Sequence, residues 1–281
     1  MNRPPHIDWF EKSSESLKTV DGKDIEIWDF FYQQDDEMLS QWAKHFRNHY
    51  CLDSEINKRR GKLTSTDFLE NYKFPSASTK LGHGIRAGDF AEILVADFIE
   101  WLMNYWVPRI RWMSKSVRDE SPKGCDIIGF KYLNHDFKPS NKDQLVVYES
   151  KAKFSKSKIN RMQDAVNGSA KDQIRLDESL NYIKQKLLDS HEDQQAMKVE
   201  RFQNPVDIQY QQIYGAVVVI SEEFYKAEEM TSTDCRRTPD PHRMNEFIKH
   251  PNRDKLHLVV IKGKSFMNLV NELYKRAADE A

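Results

Sequence analysis

Gly124-Cys125-Asp126-Ile127-Ile128-Gly129-Phe130-Lys131-Tyr132, a polar break, then Gln144-Leu145-Val146-Val147-Tyr148-Glu149-Ser150-Lys151-Ala152-Lys153-Phe154: two apolar runs rich in β-branched and aromatic residues read as consecutive strands. The break holds Asn134, Asp136, Pro139, Ser140 and Asn141, the residues of a loop. Side chains alternate along a strand, so Glu149, Lys151 and Lys153 fall on one face and Tyr148, Ser150 and Ala152 on the other. Leu145, Val146 and Val147 just before them mark the strand as buried, and three charges therefore converge where water is scarce. An ionised group stripped of water without a partner costs several kcal/mol or shifts its pKa until it neutralises. A divalent cation removes that difficulty. Asp126 and Glu149, on adjacent strands, can share one hard, oxygen-ligated ion such as Mg2+, which binds through one or two carboxylates, waters and a substrate phosphate. Lys151 then faces the same water or phosphate as a stabiliser of charge. A lone Glu-x-Lys on a strand is more often a surface ion pair. What sets this one apart is the Gly-x-Asp one strand earlier and an acid on the long apolar helix before it.

That helix is expected from about Gly88 to Asn104, with Phe90, Ile93, Leu94, Val95, Phe98, Ile99 and Leu102 apolar and Asp89, Asp97, Glu100 and Asn104 on its polar face. Glu92 falls roughly 100° from the centre of that face, which makes it the acid best placed to point at the sheet. Strands are expected over 106–113, 124–132 and 144–154. Ser155 to Gly168 reads as a basic loop or short helix, and Ser169 with Asp172 as the capping box of a helix to about Ser190. Residues 190–210 read as a connection, Ile213–Ile220 as a strand followed by a helix from Ser221, Leu256–Ile261 as the last strand, and Ser265 as the cap of a final helix. Strands alternating with helices give an α/β core covered on both faces.

Toward the N-terminus, Ile25–Phe31 suits a strand, and Met38, Leu39, Trp42 and Phe46 after Asp35 or Asp36 define an amphipathic helix to about Tyr50. His45 and His49 stand one turn apart on it, as in a helical zinc pair, but the sequence offers no third ligand. The glycines at 82, 84 and 88 miss the dinucleotide-loop spacing, and no Walker A motif occurs, so any ATP used is bound by another chain. The division expected is an N-terminal, mainly helical extension, residues 1–80, followed by the core, residues 81–281.

Composition narrows the class. Of 281 residues, 39% are hydrophobic and 31% charged, as in a soluble globular protein, and no apolar run approaches a membrane span. The N-terminus lacks the apolar segment of an export signal, so the expectation is a cytoplasmic protein with no membrane partner. Cys51, Cys125 and Cys235 are too few and too scattered for a disulfide framework or zinc site. A net charge of −1 excludes a generally basic nucleic-acid binder. Charge is uneven, however: residues 138–161 carry seven cations against two acids, and residues 1–37 ten acids against four cations. Lys153, Lys156 and Lys158 beside the proposed metal are what a phosphate backbone requires. The acidic N-terminus repels DNA, covers the basic groove or docks on a partner; the sequence does not choose.

Gly124-Cys125-Asp126 and Glu149-Ser150-Lys151, preceded by a helix carrying Glu92, resemble the PD-(D/E)xK nuclease superfamily over residues 86–220. More narrowly, the run from Gly88-Asp89-Phe90-Ala91-Glu92 to Glu149-Ser150-Lys151-Ala152-Lys153 resembles the nuclease subunits of the Hachiman anti-phage defence system. Cys125 stands where the superfamily motif has Pro. The resemblance implies a restriction-endonuclease-like core of helix, three strands, helix and strand. It also implies a Mg2+-dependent deoxyribonuclease, with Mn2+ as substitute, in which Asp126, Glu149 and Glu92 hold the metal and Lys151 serves the attack. It implies Gln173 as a further contributor and an ATP-dependent helicase subunit as partner. Two other readings fit the same residues: an inert scaffold or DNA-binding adaptor, and a self-sufficient restriction or repair endonuclease.

Overall fold

The computed structural model describes residues 3–134, 138–240, 242–243 and 245–281; Asp136 of the polar break lies outside the described residues. Strands β1 (Phe10–Lys12), β2 (Leu17–Lys18) and β3 (Asp24–Phe30) precede helices α1 (Asp36–Asn48), α2 (Asp53–Arg59), α3 (Ser65–Phe68) and α4 (Lys80–Trp101). Then come β4 (Ile127–Lys131), β5 (Gln144–Lys153), α5 (Arg161–Asp189), α6 (Asp193–Glu200), β6 (Gln211–Ser221) and α7 (Ala227–Thr231). β7 (Arg237–Pro239), β8 (Phe247–Lys249), β9 (Leu256–Gly263) and α8 (Phe266–Asp279) complete the chain.

The main sheet runs β1-β3-β9-β6-β5-β4, with β2 also on β3. β3, β9, β6 and β5 are parallel, and β4 and β1 are antiparallel to their neighbours. Val217–Ile220 and Val259–Ile261 are buried without interruption, as central parallel strands covered on both faces must be. One face packs on Trp42 and Phe46 of α1, Phe90, Leu94 and Phe98 of α4, and Leu269 and Leu273 of α8. The other packs on Met162, Val166, Leu180 and Leu187 of α5 and on Phe202. The architecture is mixed α/β.

The expected strand over 106–113 is absent: Trp106 makes one antiparallel bridge to Phe130 and the chain then turns. The next hydrogen-bonded pair along such a ladder falls at residue 108, which is proline and has no N–H to donate. Of the helix, three-strand, helix, strand order there remain α4, that single bridge, β4, β5, α5 and β6. Helix α5 is capped by Asn160, whose side chain accepts from Gln163 N, and runs unbroken past Gly168. Ser169 is no cap: it is buried mid-helix with its hydroxyl turned back onto the Val166 carbonyl. Helix α6 occupies part of the expected connection, and a single 3-10 turn, Glu222–Phe224, follows Ser221 before the short helix α7. Ser265 precedes α8 in a left-handed conformation and gives its hydroxyl to Glu223 rather than to the helix.

Residues 1–80 carry helices α1–α3 and also join the core sheet. They supply β1–β3 to the main sheet, and α1 packs on α8. Three of their acids are drawn onto C-terminal cations: Asp21 on Arg253, Glu15 on Lys262 and Asp36 on Arg276. The polar face of α4 is equally misleading. Asp89 and Asp97 are buried, Asp89 between Tyr50 and Lys115, and Asp97 among His6, His45 and Arg109. All three cysteines are buried and free, and among the described residues no helix is long and apolar enough to cross a membrane.

Candidate active site

The antiparallel ladder between β4 and β5 pairs Ile127 with Tyr148, so one residue further Asp126 stands opposite Glu149. The approach to β4 depends on Gly124, whose φ of +95° an L side chain rarely adopts, and whose Cβ would lie 2.8 Å from Ser179 Oγ. That same hydroxyl accepts from Cys125 N at 3.1 Å. Asp126 is thereby fixed at the strand entrance. Its Oδ2 accepts from Ser150 N at 3.2 Å and its Oδ1 from Arg111 Nη2 at 2.9 Å.

Glu149 is buried against α5. A Cβ on Gly168 would lie 2.4 Å from its carboxyl carbon, so the helix can pass only where it has no side chain. The Lys151 ammonium contacts Glu149 Oε1 and lies 3.4 Å from the Ser150 carbonyl, while Glu149 Oε2 is buried and meets no donor among the described residues. Burial pushes the Glu149 carboxyl up, aided by the Asp126 charge and opposed by Lys151. Burial would lower the Lys151 ammonium, but Glu149 and Asp126 override it and hold it above its ordinary value. With its side chain 30% exposed, Lys151 is the member of this group that solvent reaches.

Glu92 comes from the opposite side, on α4, where Arg111 Nε donates to its Oε2 at 3.0 Å. Burial, then the charges of Asp126 and Asp89 working against Arg111, raise it to about 8. The sequence reading passed over two residues. Arg111 binds Glu92 and Asp126 together and also donates to the carbonyls of Lys123 and Cys125. Asp172, read as half of a capping box, is buried on α5 with neither carboxylate oxygen meeting a donor among the described residues. The Cys125 thiol points instead to its backbone carbonyl at 3.9 Å. Burial and the charges of Glu149 and Asp126 drive Asp172 well above the carboxylate range. An aspartate on the inward face of the helix that leaves a Glu-x-Lys strand was the available signal.

The neighbouring Gln173 is exposed. Lys153 is buried, its ammonium held by both oxygens of Glu229 at 2.5 Å, and so is committed within the protein. Lys156 and Lys158 are exposed on the loop after β5. The basic stretch is not one patch: β5 lies between Lys142 and Lys156, and a ten-residue strand separates its ends by about 30 Å.

Glu92, Asp126, Glu149 and Asp172 are linked through one another's charges and those of Arg111, Lys151 and Arg175, with Asp126 and Glu149 opposite each other on adjacent strands. The all-oxygen pair of Asp126 and Glu149, with one Glu149 oxygen undonated, fits a hard divalent cation that takes its other ligands from water or phosphate; among the described residues no three of the four acids bring ligand oxygens within 4.8 Å of one another. Gly168→Ala is expected to fold, yet to weaken Mn2+ binding about tenfold by pushing Glu149 aside, as read by titration calorimetry. Unchanged affinity would remove Glu149 from the metal's ligands.

A second cluster brings His45, His49 and Asp97 together. Asp97 is the third ligand missing from the sequence reading, but the place of a cation is filled: Arg109 contacts Asp97 Oδ1 at 2.7 Å and His49 Nε2 at 2.6 Å. It serves as a buried ion-pair network joining the N-terminal turn, α1 and α4.

A family model described as HamA matches residues 4–277 of the chain. No curated protein matches it.

Proposed function

The chain belongs to the HamA family, whose members are components of Hachiman anti-phage defence, and from that premise and the geometry around Glu149 we propose that it is a metal-dependent nuclease hydrolysing DNA phosphodiester bonds. The observation that carries this reading is the buried, undonated oxygen of Glu149 opposite Asp126, with the partly exposed Lys151 beside it. Asp126 and Glu149 would hold Mg2+ or Mn2+, with Glu92 and Asp172 close enough to feel the same charges. When bound, the cation supplies a Lewis acid that acidifies the attacking water and offsets charge growing on the phosphate. Lys151 adds a fixed positive charge at the solvent-facing edge of the site, where that charge develops. Lys156 and Lys158, exposed one loop away, attract the phosphate backbone without reading sequence. The chain has no Walker A motif of its own, consistent with work beside an ATP-dependent helicase subunit that triggers or restrains cutting in the cytoplasm.

Plasmid DNA incubated with the purified chain, alone and with that helicase, is expected to be degraded in Mg2+ and spared in EDTA. Plasmid left intact in every mixture would overturn the enzymatic reading in favour of a DNA-binding adaptor.

A further inference from the structure

One guanidinium spans two of the carboxylates assigned to the metal. Arg111 donates through Nε to Glu92 on α4 at 3.0 Å and through Nη2 to Asp126 at the head of β4 at 2.9 Å. Both Asp126 oxygens thus already carry a donor, the second being Ser150 N. A dication sharing Asp126 would face the guanidinium across one carboxylate, and like charges that close repel strongly in a partly buried site. Arg111 also has somewhere to go. It belongs to a turn rather than to a helix or strand, and it lines a cavity of about 470 Å³ together with Trp112, Lys123, Asp126 and Tyr182. Two residues earlier, Arg109 fastens the segment through its buried pairs to Asp97 and Glu100, so the Arg111 side chain can leave without releasing the segment.

We propose that Arg111 is the resident cation of the metal-free site, that a divalent metal displaces it on loading, and that the freed guanidinium then clamps a phosphate of the DNA strand at the cavity mouth. The inference rests on the metal-dependent reading above. Arginine suits both duties, because its planar fork binds carboxylates and phosphates in the same two-pronged way. Loading and substrate capture become one exchange: the metal takes over neutralising Glu92 and Asp126, and the side chain it expels becomes a ligand for DNA.

The test measures two affinities in opposite directions. Arg111→Gln is expected to bind Mn2+ about tenfold more tightly by calorimetry, since the competitor is gone. It is expected to bind a short DNA duplex in Ca2+ about tenfold more weakly by fluorescence anisotropy. Mn2+ affinity that is unchanged or weaker in a variant with wild-type thermal stability would make Arg111 a fixed strut and overturn the exchange. Should Arg111→Gln melt far below the wild type, Arg111→Lys carries the test: it keeps the charge but cannot bridge both carboxylates, and Mn2+ must still tighten. Mn2+ binding that Glu149→Gln leaves untouched would instead bring down the metal reading, and this inference with it.

Discussion

Lys151→Ala is expected to slow metal-dependent plasmid cleavage by about 10²- to 10³-fold, the usual loss when one fixed charge is removed from a developing oxyanion. The ammonium sits on Glu149 and near the Ser150 carbonyl, so the charge is held in place before substrate arrives. A second readout separates this from a collapse of the site. Lys151 is a cation beside the proposed cation site, so its removal is not expected to weaken Mn2+ binding. Parallel loss of cleavage and of Mn2+ affinity would mean that Lys151 merely props Glu149. Cleavage within a few fold of the wild type would show that the chemistry lies elsewhere.

Asp97→Ala is expected to destabilise the fold by about 3 kcal/mol, measured by chemical denaturation, because breaking a buried ion pair strands the remaining charge. Asp97 is fully buried and accepts from His6, His45 and Arg109; Glu100 keeps Arg109 partly compensated. The same network sets a pH dependence. Burial lowers His6 to about 4 against its pairing with Asp97, and burial followed by the Arg109 charge lowers His49 well below 6.5. These folded values lie below the unfolded one, so the unfolded chain takes up protons first. The stability concerned is complete above pH 6.5 and is lost as pH falls from there toward 4, by up to about 3 kcal/mol for His6. A flat stability profile between pH 7 and pH 5 would place these histidines in water instead.

Much of this was legible in the sequence where periodicity and burial agree. β5 and β6 follow from their apolar runs, α1 from its stripe behind Asp35, and β9 and α8 from theirs. Asp126, Glu149 and Lys151 came together because an antiparallel hairpin is local and its register follows from alternation. The errors share a cause. Gly168-Ser169 read as a helix break because the reason for that glycine, the Glu149 carboxyl on another strand, is not a local property. Asp89 and Asp97 read as a solvated face because their partners come from residues 6, 45, 50, 109 and 115. Arg111 had no signature at all, since its meaning lies in carboxylates that only the fold brings near, and the one signal for Asp172 was its place on the inward face of the helix after the Glu-x-Lys strand.

The parallel pairing of β3 with β9 sets Ile25 beside Leu258 and Phe30 beside Gly263. On the ribosome, β3 emerges well before β9, the neighbour it pairs with, and such long-range closure is slow. Until then the sheet that backs β6 and β5 is open along one side. A chain cut short before residue 256 has no strand to fill that gap, so the candidate site gains its support only once residues 256–263 have been made.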